Sequence, residues 1–417
     1  MRNPIQIAVA VAMACAASAC AGRPDGVLAP LASSTTVAGA SDVDMLVATT
    51  REPLGDPAFL YSGERGARLS LTDLDISIPP EAARKVGEVQ WPRRLPPDPA
   101  RDFAILRSEP VELRDSPAWM RQHLGAKRRV LVFVHGFNNR FDDAVYRFAQ
   151  IVHDANADVT PVLFTWPSRA SVFDYNYDKE STNYSRDGLE AVLQALARDP
   201  NVGEVAVLAH SMGTWLAVES LRQMAIRDGR VARKIRNVML ASPDIDIDVF
   251  RKQWAELGEP RPKFTIFVST DDRALALSRL ISGNRGRVGA VDPSREPARS
   301  AIERAGIDVI DLTTVRGGDR LNHTKFAQSP EIVQLIGRRL TNQPITDSRV
   351  GVGEAIGAVA VGATQAVGQT AAAVIAAPIA VLDPTTRRNL PKAVGAAADS
   401  AGAALDPVLA ASRTAGM

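Results

Sequence analysis

The strongest chemical signal in the chain is Val205-Ala206-Val207-Leu208-Ala209-His210-Ser211-Met212-Gly213, where an apolar strand pattern breaks at a serine among small residues and passes straight into a helical pattern. A sharp strand-to-helix turn of this kind lifts the hydroxyl out of a sheet and aims the next backbone N–H at a developing oxyanion. The usual form has glycine two residues before the serine. Here Ala209 stands in that place and is small enough for the turn. A serine at a helix start otherwise only caps the helix, so its partners decide. Upstream, Val132-Phe133-Val134-His135-Gly136-Phe137-Asn138-Asn139 sets a His-Gly loop after a buried-strand pattern, suited to supply a second amide. The oxyanion donors are therefore expected at Phe137 and Met212, with Asn138 replacing Phe137 if the loop is shifted by one. Each such donor contributes about 3 kcal/mol of transition-state stabilisation.

A serine hydroxyl is a weak nucleophile until an imidazole takes its proton, and the imidazole needs a carboxylate to fix its tautomer. Of five histidines, His123 and His153 lie in exposed or helical contexts, His135 belongs to the oxyanion loop, and His210 is the serine's chain neighbour, expected to turn away from it. His323 remains, in a loop between the last strand pattern and the final helix, and chain order agrees with that choice. The carboxylate is sought after a late strand. Phe264 to Ser269 runs into Thr270-Asp271-Asp272, which makes Asp272 the expected acid, Asp271 its immediate rival and Asp244 a more distant one. Asp244, Asp246 and Asp248 have the alternate spacing of a calcium loop, but Val249 stands where the tight turn needs glycine. Capping of a helix beginning near Val249 is the better use of them. No residues are assigned to a metal or an organic cofactor.

The elements that must position these groups follow from periodicity. Met45 to Ala48, Leu69 to Ile78 and Phe103 to Leu113 read as strands of a small amino-terminal extension. After Arg128 strand and helix alternate: strands at Val130–Val134, Pro161–Trp166, Val205–Leu208, Asn237–Ala241, Phe264–Ser269 and Asp308–Leu312. Helices fall at Asp142–His153, Gly188–Arg198, Thr214–Ala225, Ala274–Ile281 and Glu331–Leu340. This rhythm predicts a doubly wound α/β fold with a mostly parallel sheet. Trp166, Phe137, Tyr175 and Tyr177 are candidates for the walls of an acyl pocket or for plain loop packing.

Taken together, Ala48-Thr49-Thr50-Arg51, the His135 loop, Phe164-Thr165-Trp166-Pro167-Ser168, Ala209-His210-Ser211-Met212-Gly213, Ser242-Pro243-Asp244-Ile245-Asp246 and Asp272-Arg273-Ala274-Leu275 resemble a bacterial α/β-hydrolase family of unknown function within the esterase/lipase superfamily. The resemblance runs from about Asp42 to Leu340 and implies a serine hydrolase with Ser211, Asp272 and His323 in the matching places, but no settled substrate. A small-molecule or lipid ester is the expected substrate.

The ends of the chain read differently. Arg2 precedes the uncharged run Ile5 to Ala19, closed by Ala17-Ser18-Ala19-Cys20, the layout of an export signal. Its end resembles a lipobox with Ala17 in place of leucine, which makes Cys20 the expected lipid attachment point; a simple signal cut near Ala19 or Ala21 is the alternative. Residues 1–20 are thus read as signal, 21–41 as a flexible tether, 42–345 as the hydrolase domain and 346–417 as an Ala/Gly-rich tail. With Cys15 and Cys20 the only cysteines, an internal disulfide framework is excluded from the mature chain. Among 417 residues, 46% are hydrophobic and 23% charged with a net charge of +2, a globular composition with no general pull toward nucleic acid. The expectation is an envelope hydrolase facing the periplasm through a lipid anchor. The contrasting reading is a binding or scaffolding lipoprotein that keeps the fold without turnover.

Overall fold

The computed structural model describes residues 23–32 and 37–341. The expected export signal, Cys20, the last residues of the expected domain and the Ala/Gly-rich tail lie outside the described residues.

Among the described residues nine strands form one sheet in the order β3-β2-β1-β5-β4-β6-β7-β8-β9. β1 (Ser41–Pro53), β2 (Tyr61–Ile78) and β3 (Ala104–Val111) pair antiparallel as a meander. β1 also runs parallel to β5 (Thr160–Thr165), with Leu46 opposite Val162, so the amino-terminal strands extend the main sheet itself. β4 (Arg129–Val134), β6 (Glu204–His210), β7 (Ile235–Ala241), β8 (Lys263–Val268) and β9 (Asp308–Asp311) continue it in parallel. Side chains alternate across a strand, and the apolar run of β4 fills both faces. Val130, Val132 and Val134 join one core cluster, and Leu131 and Phe133 join the other.

Helices cover each face. α1 (Ser116–His123) precedes β4, and α2 (Phe141–Ala155) follows it and packs Ala144, Val145, Phe148 and Ile151 into the second cluster. α3 (Tyr175–Arg198) and α4 (Met212–Asp228) contribute Leu189, Leu193, Leu216 and Leu221 to the first. α5 (Ile247–Ala255), α6 (Arg273–Ile281), α7 (Ala298–Ala305), α8 (Lys325–Gln328) and α9 (Pro330–Leu340) complete the order. Each fully buried Leu, Val or Phe here contributes about 1.5–3 kcal/mol.

Two expectations need correction. α3 begins at Tyr175 rather than near Gly188, because its first turns bury polar groups instead of an apolar stripe. Asp178, Ser181, Thr182 and Ser185 are buried there, and the Ser181 and Ser185 hydroxyls donate to the carbonyls of Tyr177 (2.9 Å) and Ser181 (2.7 Å). The first described stretch of the expected tether, residues 23–32, is seated on the domain. The Arg23 guanidinium pairs with Asp142 (2.5 Å) and Asp143 (2.7 Å) and lies 3.7 Å over the Trp91 ring. Val27 and Leu28 are buried, and Tyr146 Oη donates to the Val27 carbonyl (2.7 Å). Arg140 Nη1 also reaches Asp25 Oδ1 (2.8 Å) and the Leu31 amide donates to the Ile105 carbonyl (2.9 Å), so a segment whose composition reads as a linker is docked by polar and apolar contacts together.

Candidate active site

β6 delivers Ser211 and α4 starts at the next residue, so the serine occupies the turn with φ 52° and ψ −125°. A non-glycine residue held there stores roughly 1–3 kcal/mol of strain. Its surroundings enforce that backbone. Ser211 N donates to the Ala241 carbonyl on β7 (3.0 Å), and the Ser211 carbonyl accepts from Thr214 Oγ1 (2.6 Å) and the Asp244 amide (3.2 Å). A Cβ on Gly213 would lie 2.1 Å from the His135 carbonyl, and one on Gly136 would lie 2.8 Å from Ser211 Cβ. Only glycine lets the elbow and the loop after β4 approach so closely.

His323 and Asp272 come together from separate loops: His323 Nδ1 lies 2.7 Å from Asp272 Oδ2. Asp272 is buried and caps α6, its Oδ1 accepting from the Leu275 amide at 2.9 Å. The His323 loop is tied down by Asp319, which accepts the amides of His323 (2.7 Å) and Thr324 (3.1 Å) through Oδ1. The His323 carbonyl in turn accepts from His210 Nε2 (3.2 Å) and Ser242 Oγ (3.3 Å). The His210 and His323 rings lie 4.7 Å apart, which places His323 against the residue preceding Ser211. Among the described residues no hydrogen bond joins Ser211 Oγ to His323; such bonds are often long before substrate tightens the site. Burial alone would lower the His323 pKa, but the charge and hydrogen bond of Asp272, with Asp319 and Asp244 beyond, outweigh it and raise it.

The rival acids have other partners. Asp271 receives the buried Lys325 ammonium on both oxygens (2.9 and 3.0 Å), with Asn322 Nδ2 at 2.8 Å. Asp244 accepts Ser278 Oγ (2.6 Å) and faces Arg287 Nε (3.2 Å). Asp246 caps α5, accepting the Asp248 (2.8 Å) and Val249 (3.2 Å) amides, so the helix starts two residues before Val249.

Met212 is the first residue of α4, where an amide has no acceptor within the helix. On the facing loop, the Asn138 amide points to Asp178 Oδ2 (3.4 Å), whereas Phe137 uses its carbonyl to receive Asn139 Nδ2 (2.8 Å). The shifted register is therefore the less favoured one. Of the four aromatic wall candidates, Phe137 and Tyr175 meet edge to face at 5.3 Å. Tyr175 Oη lies 3.1 Å from Ser278 Oγ. Trp166 is fully buried and stacks on His135, and Tyr177 packs under the Arg169 guanidinium, so both serve the loops.

Behind the loop that follows β4 lies a polar network whose connections pattern reading missed. Arg51, at the end of an apolar run in β1, is fully buried and donates to Thr165 Oγ1 (2.9 Å) and to the carbonyls of Ser62 (3.0 Å), Ser168 (3.1 Å) and Asn139 (2.9 Å). His135 Nδ1 donates to the Gly136 carbonyl (2.8 Å), while Nε2 accepts the Trp166 amide (3.1 Å). Burial, with Arg51 beside it, pushes the His135 pKa down to about 3, so this ring is neutral. Asp178 on α3 accepts Ser168 Oγ (2.5 Å) and the Arg169 amide (3.1 Å), and Ser168 Oγ accepts the Asn139 amide (3.1 Å). Burial pushes the Asp178 pKa up to about 7 despite those bonds. In sequence Arg51 stands out only as the charged end of the Ala48-Thr49-Thr50-Arg51 motif, with no role attached; Asp178, within a polar stretch, gives no signal.

This sheet order, the strained elbow and the convergent loops are those of an alpha/beta hydrolase. Residues 114–339, more than half of the chain, match the family described as "Alpha/beta hydrolase of unknown function (DUF900)", and the chain belongs to that family. Similar solved structures include fungal esterases from Rhizomucor miehei, at 13% identity and TM-score 0.31 over 78% of this chain and 87% of that one. An esterase of Pyrobaculum calidifontis is 9% identical, with TM-score 0.31 over 74% and 86%. Carboxyl esterase 2 of Tuber melanosporum is 10% identical, with TM-score 0.34 over 76% and 91%. At such identities nothing about substrate passes from them to this chain. No curated protein matches it.

Proposed function

We propose that this alpha/beta hydrolase is a serine hydrolase that cleaves a carboxylic ester through an acyl-enzyme. The observation that carries the reading is the 2.7 Å contact of His323 Nδ1 with Asp272 Oδ2, packed beside the strained Ser211 turn. Ser211 Oγ attacks the ester carbonyl carbon while His323 Nε2 takes the hydroxyl proton. Asp272 holds the Nδ1–H tautomer and stabilises the imidazolium that forms. The oxyanion is received by the Met212 and Phe137 amides. Collapse breaks the acyl C–O bond, and the departing alkoxide takes the proton back from His323 as an alcohol. Water then repeats the sequence on the acyl-enzyme, releasing the acid and restoring Ser211.

Phe137 and Tyr175 supply an aromatic wall beside the elbow, suited to an acyl or alcohol group of modest polarity. The chain is further proposed to act at the cell envelope, exported by its leading segment and held by lipid on Cys20. That part rests on the Ala17-Ser18-Ala19-Cys20 pattern. Among the described residues no helix is long and apolar enough to cross a membrane.

The test is hydrolysis of p-nitrophenyl esters of increasing acyl length by the full chain and by Ser211→Ala. Turnover with an initial burst in the parent and none in the variant is expected. A folded parent that turns over no ester, or a variant that retains activity, overturns the reading and leaves the binding-protein alternative.

A further inference from the structure

The antiparallel end of the sheet carries an unbalanced group of charges unconnected with catalysis, separated from β6 by β5 and β4. Asp44 on β1 faces Asp75 on β2 directly, and Asp73 on β2 faces Glu109 on β3. Like charges placed opposite one another destabilise a sheet, so such a set needs a cation. Arg107 supplies one, reaching Asp73 Oδ2 at 2.5 Å and Asp44 Oδ1 at 3.7 Å. It does not satisfy the group. Asp44 Oδ1, Asp73 Oδ1 and Asp75 Oδ1 are buried atoms that accept no hydrogen bond among the described residues. The Asp73 side chain is only 7% exposed, so water is a poor substitute there.

α1 brings His123 to the same place, its Nε2 3.0 Å from Asp44 Oδ2. Its Nδ1 lies 2.7 Å from the Trp119 carbonyl. A carbonyl only accepts, so Nδ1 carries the hydrogen and Nε2 turns a lone pair toward the carboxylates unless a cation intervenes. One nitrogen of His123 and one oxygen each of Asp44 and Asp73 lie within 4.8 Å of one another. The His123–Asp44 contact by itself leaves Asp73 Oδ1 without a partner. A metal ion would engage Asp44, Asp73 and His123 at once. The ring's other nitrogen bonded to a backbone carbonyl is also how metal-binding histidines are usually oriented.

We propose that Asp44, Asp73 and His123 bind a divalent transition cation, with zinc the best match to one imidazole nitrogen and two carboxylate oxygens. Water completes the shell on the open side, where Asp44 is 36% and His123 21% exposed. The ion ties α1 to the β1–β2 pair and serves stability rather than the reaction, independently of the proposed esterase chemistry.

The experiment is titration of the chelator-stripped full chain with Zn2+ by calorimetry and with Co2+ by visible absorption, alongside His123→Ala, Asp44→Asn and Asp73→Asn. Asp248→Asn, a surface change, is the control, and circular dichroism checks that each variant folds. One ion per chain at micromolar affinity, a rise of a few degrees in Tm, and at least about tenfold weaker binding in each of the three variants are expected. Binding absent up to about a hundred micromolar would overturn the site. Affinity unchanged in any one of the three variants would overturn it as well. Because no reading uses ester turnover, failure here is distinct from failure of the hydrolase assignment.

Discussion

His135 and His323 sit on loops that converge at the carboxyl ends of the parallel strands, both largely out of water, yet they are prepared for opposite tasks. His135 faces the Arg51 guanidinium, and burial plus that positive charge push it down to about 3. His323 faces the Asp272 carboxylate, whose charge and hydrogen bond overcome the same burial and raise its pKa. One ring is a neutral strut that joins Gly136 to Trp166, and the other is poised to accept and hold a proton. The sign of the nearest charge, more than burial, separates the structural imidazole from the candidate base.

The largest expected break in this contrast is His323→Ala, which should lower kcat by about 10^6-fold while leaving the fold intact. His135→Gln should instead be felt mainly as lost stability, measured by denaturant unfolding, because it disrupts the Thr165–Arg51–Trp166 contacts. Next, Asp272→Asn should cost about 10^4 in kcat by loss of the tautomer-fixing carboxylate. Its neighbour Asp271→Asn should leave kcat within a few-fold but cost about 2 kcal/mol of stability, because the buried Lys325 ammonium loses its partner. Asp178→Asn should reduce kcat by about 10 to 100-fold with KM little changed, since a small shift of the Asn138–Asn139 backbone misaims the oxyanion donor.

The smallest effects are those of pH. His323 works as a base only when neutral, so the kcat/KM profile should rise with pH through a midpoint above the ordinary imidazole value of 6.5, and Asp272→Asn should move it down. The stability contributions of the two rings have opposite signs. Folded His323 binds its proton more tightly than the unfolded chain, so its contribution is present below 6.5 and fades as pH rises through the folded pKa. Folded His135 refuses the proton the unfolded chain takes up, so stability falls as pH drops from 6.5 toward about 3. Unfolding at fixed temperature across pH, in the parent and in His135→Gln, measures the second directly.

The parallel sheet was legible because doubly buried strands such as Val130–Val134 leave apolar runs, and the elbow because few residues fit the turn at Ser211. Strand ends alone pointed to both Asp272 and Asp271; in the structure Asp272 meets His323, while Asp271 is held by Lys325, which lies 54 residues beyond it. The start of α3 was hidden because its first turns bury hydroxyls and a carboxylate, and the docking of residues 23–32 because it rests on Arg23 meeting acids about 120 residues away. In each case a polar side chain is buried by a distant partner, and hydropathy does not report such pairs. His123 belongs with them: exposed-looking in sequence, it meets Asp44 and Asp73 only when the sheet forms.

The central claim, that Ser211 is made nucleophilic by the His323–Asp272 pair, is tested most directly by treating the folded full chain with a fluorophosphonate and mapping the adduct by mass spectrometry. The account predicts one stoichiometric adduct on Ser211, absent from Ser211→Ala and strongly slowed in Asp272→Asn. A folded chain that takes up no label, or one labelled as quickly without Asp272, would contradict it.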